Sequence, residues 1–198
     1  MPSGRIDETL YVGPVGSIEQ INSTTLYKPG ELGKQIQTTA GKGYQLIQVD
    51  SGATASTGAG HAPQCGDLAF WKSKTSYIVT NDRVQAIGGV TNSRNMVAGV
   101  FCSLKASPTA GDASITPGNF GVIQQRGQHV GVLTSASTVT AGLALIVSSS
   151  STVPDAVNSA IGVAPLTPIV GIATAANGAV TATYTPATLG GWDLVDTP

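Results

Sequence analysis

The sequence predicts an all-β protein, a small barrel or sandwich of about ten short strands preceded by an extended N-terminal arm. Three observations carry this. Gly (25 residues), Ser, Thr, Ala and Val dominate the chain, a mixture that works against long helices because Gly costs about 1 kcal/mol and β-branched residues a few tenths relative to Ala. From Gly43 onward, apolar residues come in runs of strand length separated by turn-forming clusters. Two of those runs then recur later in the chain in the same order and at similar spacing.

Residues 1–40 are polar and punctuated by Gly13-Pro14, Gly16, Pro29-Gly30 and Gly33. Their isolated apolar residues Leu10, Tyr11, Val12, Ile18, Ile21 and Leu26 lack the periodicity of a self-sufficient element, so this stretch reads either as an arm that orders on contact with a neighbour or as a mobile N-terminus with one packed strand. Residues 41–198 read as the β-rich domain. Its expected strands are 44–49, 68–71, 77–79, 96–104, 120–123, 130–133, 143–147, 161–164, 169–173 and 180–184. Between them lie Asp50-Ser-Gly, Asn81-Asp82, Gly88-Gly89, Gly111-Asp112, Pro117-Gly118-Asn119 and Asn177-Gly178, which supply the positive φ values of tight turns. The small-residue stretch 51–60 reads as a surface loop or linker.

The internal repeat sets Gly66-Asp-Leu-Ala-Phe-Trp71 against Gly142-Leu-Ala-Leu-Ile, with Met96-Val-Ala-Gly-Val-Phe101 and Pro168-Ile-Val-Gly-Ile-Ala173 following each. A Gly opens a strand, a polar excursion follows, and an apolar-Gly-apolar run returns, as a duplicated β-unit would give. Two such units could close a small barrel or sandwich.

At 198 residues the chain can bury a core without metal or disulfides. It is 41% hydrophobic but only 11% charged, against about 25% charged for an ordinary domain. The formal charge of −1 and ten scattered Lys and Arg argue against a nucleic-acid partner. No apolar run is long enough to cross a membrane, and the start lacks the organisation of a signal peptide, so synthesis in a cytoplasm is expected.

Candidate chemistry is sparse. A nucleophile needs a base, and the histidines are His61 and His129, with no Gly-x-Ser-x-Gly elbow to present a serine. Cys65 and Cys102 are too few for a disulfide scaffold and read as buried thiols, a bridge between them being the alternative. His61, Cys65, Cys102 and His129 have the ligand types of zinc but not the spacing of paired ligands. Asp67, Asp82, Asp112 and Asp155 each adjoin Gly, Asn or Pro, where turn formation explains them. Gly58-Ala-Gly60 imitates part of a dinucleotide loop without completing it. Trp71 and Trp192 read as core or subunit-contact anchors rather than sugar platforms. The expectation is a protein without catalytic residues, cofactor or metal.

The stretch from Gly30 to Tyr184 resembles the head decoration proteins of tailed bacteriophages, also called capsid cement or stabilisation proteins. The resembling segments are Gly30-Glu-Leu-Gly-Lys, Gly43-Tyr-Gln-Leu-Ile-Gln-Val, Gly66-Asp-Leu-Ala, Val97-Ala-Gly-Val, Gly118-Asn-Phe-Gly-Val-Ile-Gln, Ala141-Gly-Leu-Ala-Leu, Ile161-Gly-Val-Ala and Ile169-Val-Gly-Ile-Ala. The longer N-terminal region and the loop at 51–60 depart from that pattern. The resemblance implies a β-rich structural protein on the outer face of an icosahedral shell, bound to the major capsid protein, commonly as a homotrimer. In that role the arm residues Tyr11, Val12, Ile18, Ile21, Leu26 and Tyr27 are the expected shell contacts, since an arm can lie across a neighbour or add to it as a strand. Two rival readings remain: a minor head, tail or fibre-associated β-domain that binds host carbohydrate, and a small hydrolase or protease using a Cys nucleophile.

Overall fold

The computed structural model describes residues 22–24, 31–38, 40–54, 61–89, 96–105, 107–134, 138–147, 156–158, 169–178 and 183–190. Among these the fold is all-β, with ten strands: β1 (Gln35–Gln37), β2 (Gly43–Val49), β3 (Leu68–Ser73), β4 (Ile78–Thr80), β5 (Val97–Phe101), β6 (Phe120–Thr134), β7 (Ala144–Val147), β8 (Ala156–Asn158), β9 (Ile169–Ala173) and β10 (Thr183–Leu189). They form one sheet in the order β1-β2-β4-β3-β5-β6-β10-β9-β7-β8, with further pairings β2–β6 and β6–β8.

Those two further pairings fold the sheet into two rings that share β6. Strands β2-β4-β3-β5 return to β2 through the first half of β6, a closed five-stranded barrel in which Gln48 pairs with Phe120 and Tyr44 with Gln124. The second half of β6 opens another circuit through β10-β9-β7-β8, closed by the single pair Thr134↔Ala156.

The rings are the two copies of the expected repeat, and they agree residue by residue. In the first, Leu68 pairs with Val100, Ala69 with Gly99 and Phe70 with Val97; in the second, Ala144 pairs with Ile172, Leu145 with Gly171 and Ile146 with Ile169. Each ladder has its register shift at the same step, between Ala69 and Phe70 and between Leu145 and Ile146. The pair Trp71↔Val79 returns as Val147↔Ala156. Each ring also contains one parallel pairing, Val49↔Val79 and Thr134↔Ala156. The contacts Gly66 N–H to Phe101 O (2.9 Å) and Phe101 N–H to Asp67 O (3.0 Å) recur as Gly142 N–H to Ala173 O (2.8 Å) and Ala173 N–H to Leu143 O (3.0 Å). Gly66 and Gly142, which open β3 and β7, both have positive φ, 103° and 83°.

Side-chain alternation then sets the core. Ile47, Val49, Ala69, Val79, Ala98, Phe101 and Ile123 fill the first barrel. The intervening residues of β3 and β5, Leu68, Phe70 and Val100, face out of that barrel and are buried in one cluster with Val132, Leu145, Val170, Ala187 and Leu189 of the second ring. The second ring therefore packs on the outer β3–β5 face of the first. A third cluster, Ile36, Tyr44, Leu46, Cys102 and Val122, covers the outer side of β2 and β6.

Beyond shifts of a few residues at strand ends, the strands differ from expectation in four places. The runs 120–123 and 130–133 are one strand, because Gln124 to His129 continue the pairing as a polar stretch and Gly127, at φ 85°, carries the chain through it. Strand β10 starts at Thr183 and runs past Pro186, which sits exposed at the register shift between Thr185 and Ala187, where a missing N–H is tolerated. Strand β1 lies inside the stretch expected as arm, with Ile36 buried against Tyr44. Strand β8 falls at 156–158, while 161–164 lies outside the described residues.

Candidate functional site

Two places on the framework carry unusual chemistry, a buried polar cluster where the first barrel meets β10 and an outer face on the second ring whose exposed strand side chains are uncharged among the described residues.

The cluster forms because β3 and β4 are antiparallel, which brings the residue before β3, Asp67, beside the residue after β4, Asn81. Both are fully buried. Asn81 Nδ2 donates to Asp67 Oδ2 and to His61 O, each at 3.2 Å, and Gln64 N–H donates to Asp67 Oδ2 at 3.1 Å. His61 Nδ1 stands 3.6 Å from the same carboxylate oxygen. Asp67 Oδ1 and Asn81 Oδ1 have no hydrogen-bond partner among the described residues. Burial pushes Asp67 up to about 6, against the pull of His61 and of the Gln64 and Asn81 hydrogen bonds. From β10, Tyr184 donates its hydroxyl to Gln64 Oε1 at 3.0 Å, and burial, helped by Asp67 and Cys65, raises its phenol above the usual range. In the second ring the place of Asp67 is taken by Leu143, so this carboxylate is particular to the first unit.

From the sequence alone, Asp67 is expected to be a turn residue. Its contact with Gln64 N–H is a turn contact, but its burial beside a second orphaned oxygen is not explained by a turn. Asp82 and Asp112 do behave as expected: Asp82 Oδ1 accepts from Val84 N–H at 2.9 Å, and Asp112 Oδ2 from Thr109 N–H at 2.9 Å. Asp155 lies outside the described residues.

Cys65 and Cys102 are buried thiols, not bridged to each other. With His129, Lys42 and Gln124 they line a cleft with room for little more than a water. His129 is buried in β6 and held by main-chain groups, Nδ1 at 2.8 Å from Gly131 O and Nε2 at 3.2 Å from Phe101 O. His61 faces Asp67 instead. Among the described residues no three His, Cys, Asp or Glu side chains converge in a way that could hold a metal. Buried thiols react slowly with disulfide reagents. Both cysteines are therefore expected to stay unlabelled in the native protein and to titrate fully after unfolding. Labelling of either one within the mixing time would revive the nucleophile reading.

The outer face spans β9, β10 and the second half of β6, where Ile172 pairs with Thr188 and Thr188 with Gln128. Among the described residues its exposed side chains are Ile172, Thr188, Gln128, Val130, Pro186 and Thr174, none of them charged. Trp71 is half-buried against the first core and edge-on to Tyr77, so it anchors packing as expected, while Trp192 lies outside the described residues.

The expected contact residues Tyr11, Val12, Ile18, Ile21, Leu26 and Tyr27 also lie outside the described residues. Between Ile21 and Leu26 the chain is fastened to the first barrel. Ser23 exchanges backbone hydrogen bonds with Phe120 at 3.1 and 2.7 Å, and Asn22 Oδ1 accepts from Thr116 N–H (3.1 Å) and Asn119 Nδ2 (2.7 Å). No family model matches the chain, and no curated protein matches it.

Proposed function

We propose that this chain is a structural, non-catalytic binding protein, a head decoration protein that sits on the outer face of a tailed-phage capsid, contacts the major capsid protein and strengthens contacts between shell subunits, acting as a homotrimer. The observation that carries the reading is the run of uncharged exposed side chains, among the described residues, on the outer strands of the second ring in a chain with 11% charged residues. Interface cores are depleted in charge and solvated surfaces are rich in it. A shell also presents each contact many times, so weak single contacts add through effective concentration. The segments that resemble decoration proteins support it further, because Gly66-Asp-Leu-Ala, Val97-Ala-Gly-Val, Ala141-Gly-Leu-Ala-Leu and Ile169-Val-Gly-Ile-Ala are the strands that build both rings. The fastening at Asn22–Ser23 gives an arm a fixed point of departure from the first barrel.

Quantifying the chain against the major shell protein in purified particles tests the reading. Near-stoichiometric abundance is expected, together with loss of particle binding when residues 1–28 are deleted. A few copies per particle would favour a minor head, tail or fibre protein, and unchanged binding after the deletion would remove the arm from the contact.

A further inference from the structure

The backbone sets the chain's two cysteines opposite each other where β3 and β5 meet. Gly66 N–H donates to Phe101 O at 2.9 Å and Phe101 N–H to Asp67 O at 3.0 Å, so Gly66 and Asp67 together oppose Phe101 in a bulge opened by a positive-φ glycine. The residues flanking the Gly66–Phe101 bond are Cys65 and Cys102. In an antiparallel pair, residues so placed are not hydrogen-bonded to each other, and their Cα atoms stand about 4.5 Å apart with the side chains on one face. A disulfide spans Cα atoms roughly 4.4–6.8 Å apart. The main chain of Cys65 is turned the other way, its N–H donating to Asp112 O at 2.7 Å and its carbonyl accepting from Gly111 N–H at 2.8 Å. Both side chains line one small cleft, which places the two thiols on the same side independently of the backbone pattern. In the second ring the equivalent bond, Gly142 N–H to Ala173 O, is flanked by Ala141 and Thr174, so the thiol pair, like Asp67, belongs to the first unit.

We propose that Cys65 and Cys102 are an oxidisable pair, which a small two-electron oxidant of the peroxide class converts into a disulfide within the chain. The cleft sets the class of oxidant: with room for little more than a water, it admits hydrogen peroxide and excludes a bulky disulfide reagent. One thiolate takes an oxygen atom from the peroxide and becomes a sulfenic acid, and the other peroxide oxygen leaves as water. The facing thiolate then attacks that sulfur, the S–O bond breaks, the disulfide forms and a second water leaves. Two thiols are oxidised, one peroxide is reduced, and a dithiol reductant reverses the step. The bond closes a loop over β3, β4 and β5 and ties the Gln64–Asp67 turn, which carries the buried carboxylate, to the end of β5. Closing such a loop removes freedom from the unfolded chain, so the oxidised form is the more stable one. The inference does not rest on the decoration reading, and its failure leaves the particle experiment standing.

The test is to treat the folded full-length chain with hydrogen peroxide, remove the excess with catalase, unfold, alkylate the remaining thiols and map the peptides without reduction. Cys102→Ser is carried alongside. The wild type is expected to lose both thiols to a linkage between the peptides that hold Cys65 and Cys102, to recover them with dithiothreitol, and to melt roughly 5–10 °C higher when oxidised. Cys102→Ser is expected to show no linked peptide and no rise in melting temperature. Recovery of both thiols intact after peroxide would overturn the proposal, as would sulfinic or sulfonic acid at either cysteine with no linked peptide, or a linkage between two chains in place of one within a chain. A linked peptide that leaves the melting temperature unchanged, or a rise that Cys102→Ser shows equally, would overturn the stapling role. If the variant fails to fold, the wild-type map decides alone.

Discussion

Replacing Gly99 or Gly171 by alanine is expected to destabilise the protein by roughly 3 kcal/mol or more each, at or beyond the upper end of the usual cost of overpacking a core. A Cβ at Gly99 would stand 2.7 Å from the carbonyl oxygen of Gln124, and one at Gly171 would stand 2.5 Å from that of Thr188. The obstructing atoms belong to the backbone of the neighbouring strand and cannot rotate away. Neither glycine has positive φ, so the requirement is for close approach of strands and not for a special backbone conformation. The two sites are also equivalent, because Val100 pairs with Gln124 as Ile172 pairs with Thr188. Gly142→Ala is the internal control: its Cβ would meet nothing within 4 Å, leaving only the strain of φ 83°, about 1–2 kcal/mol. Thermal unfolding should drop by roughly 6–12 °C for the first two variants, at 2–4 °C per kcal/mol for a domain of this size. A Gly99→Ala protein that melts with the wild type would mean that β5 and β6 do not approach as described.

That steric demand explains why the repeat was legible in the sequence. The apolar-Gly-apolar runs Val97-Ala-Gly-Val and Ile169-Val-Gly-Ile keep their glycine because each ring needs it at the same crossing, while the residues around it vary in size. The all-β class was legible for a similar reason, as β-branched runs and turn clusters occur wherever a small ring must bend. What escaped was set by long-range pairing. Gln35-Ile-Gln37 has one apolar residue and becomes a strand only because Tyr44 and its neighbours offer an edge. Gln124 to His129 looks like a connection between two strands, yet it is the middle of β6, because the side chain of Gln124 satisfies the carbonyls of Arg126, Gly127 and Gln128 at the bend. Of the chemical residues, His129 and the two cysteines could be read as bland from their scarcity. Asp67 could not, since a Gly-Asp step looks like any turn. The signal that separates it is the repeat itself, which has leucine at that place in the second unit.

Asp67 should make the protein lose stability as the pH rises from 4 to 7. An ordinary aspartate titrates near 3.8 and this one near 6, so the folded chain holds the proton that the unfolded chain has released. Between those values the native state binds more protons than the unfolded state, and stability falls with increasing pH. The contribution is fully present below 3.8 and lost above about 6; at 1.36 kcal/mol per decade of proton affinity, the gap is worth about 3 kcal/mol. The groups facing the carboxyl are His61, Asn81, Gln64 and Tyr184, and Tyr184 remains a neutral phenol throughout this window. Chemically, a proton on Oδ1 turns one of the two orphaned acceptors into a donor, and the other orphan, Asn81 Oδ1, belongs to the amide that already donates to Oδ2. A neutral acid and a carboxamide can then pair at two points, which removes the cost of leaving both oxygens unsatisfied. Asp67→Asn reproduces that neutral donor at every pH. The variant is expected to match the wild type near pH 4 and to exceed it by about 1–3 kcal/mol at pH 8, where the wild type carries a buried charge. Urea titrations of both proteins across this range decide it: a wild type that gains stability from pH 4 to 7, or a variant that is weaker at pH 8, would show that Asp67 is used in its ionised form.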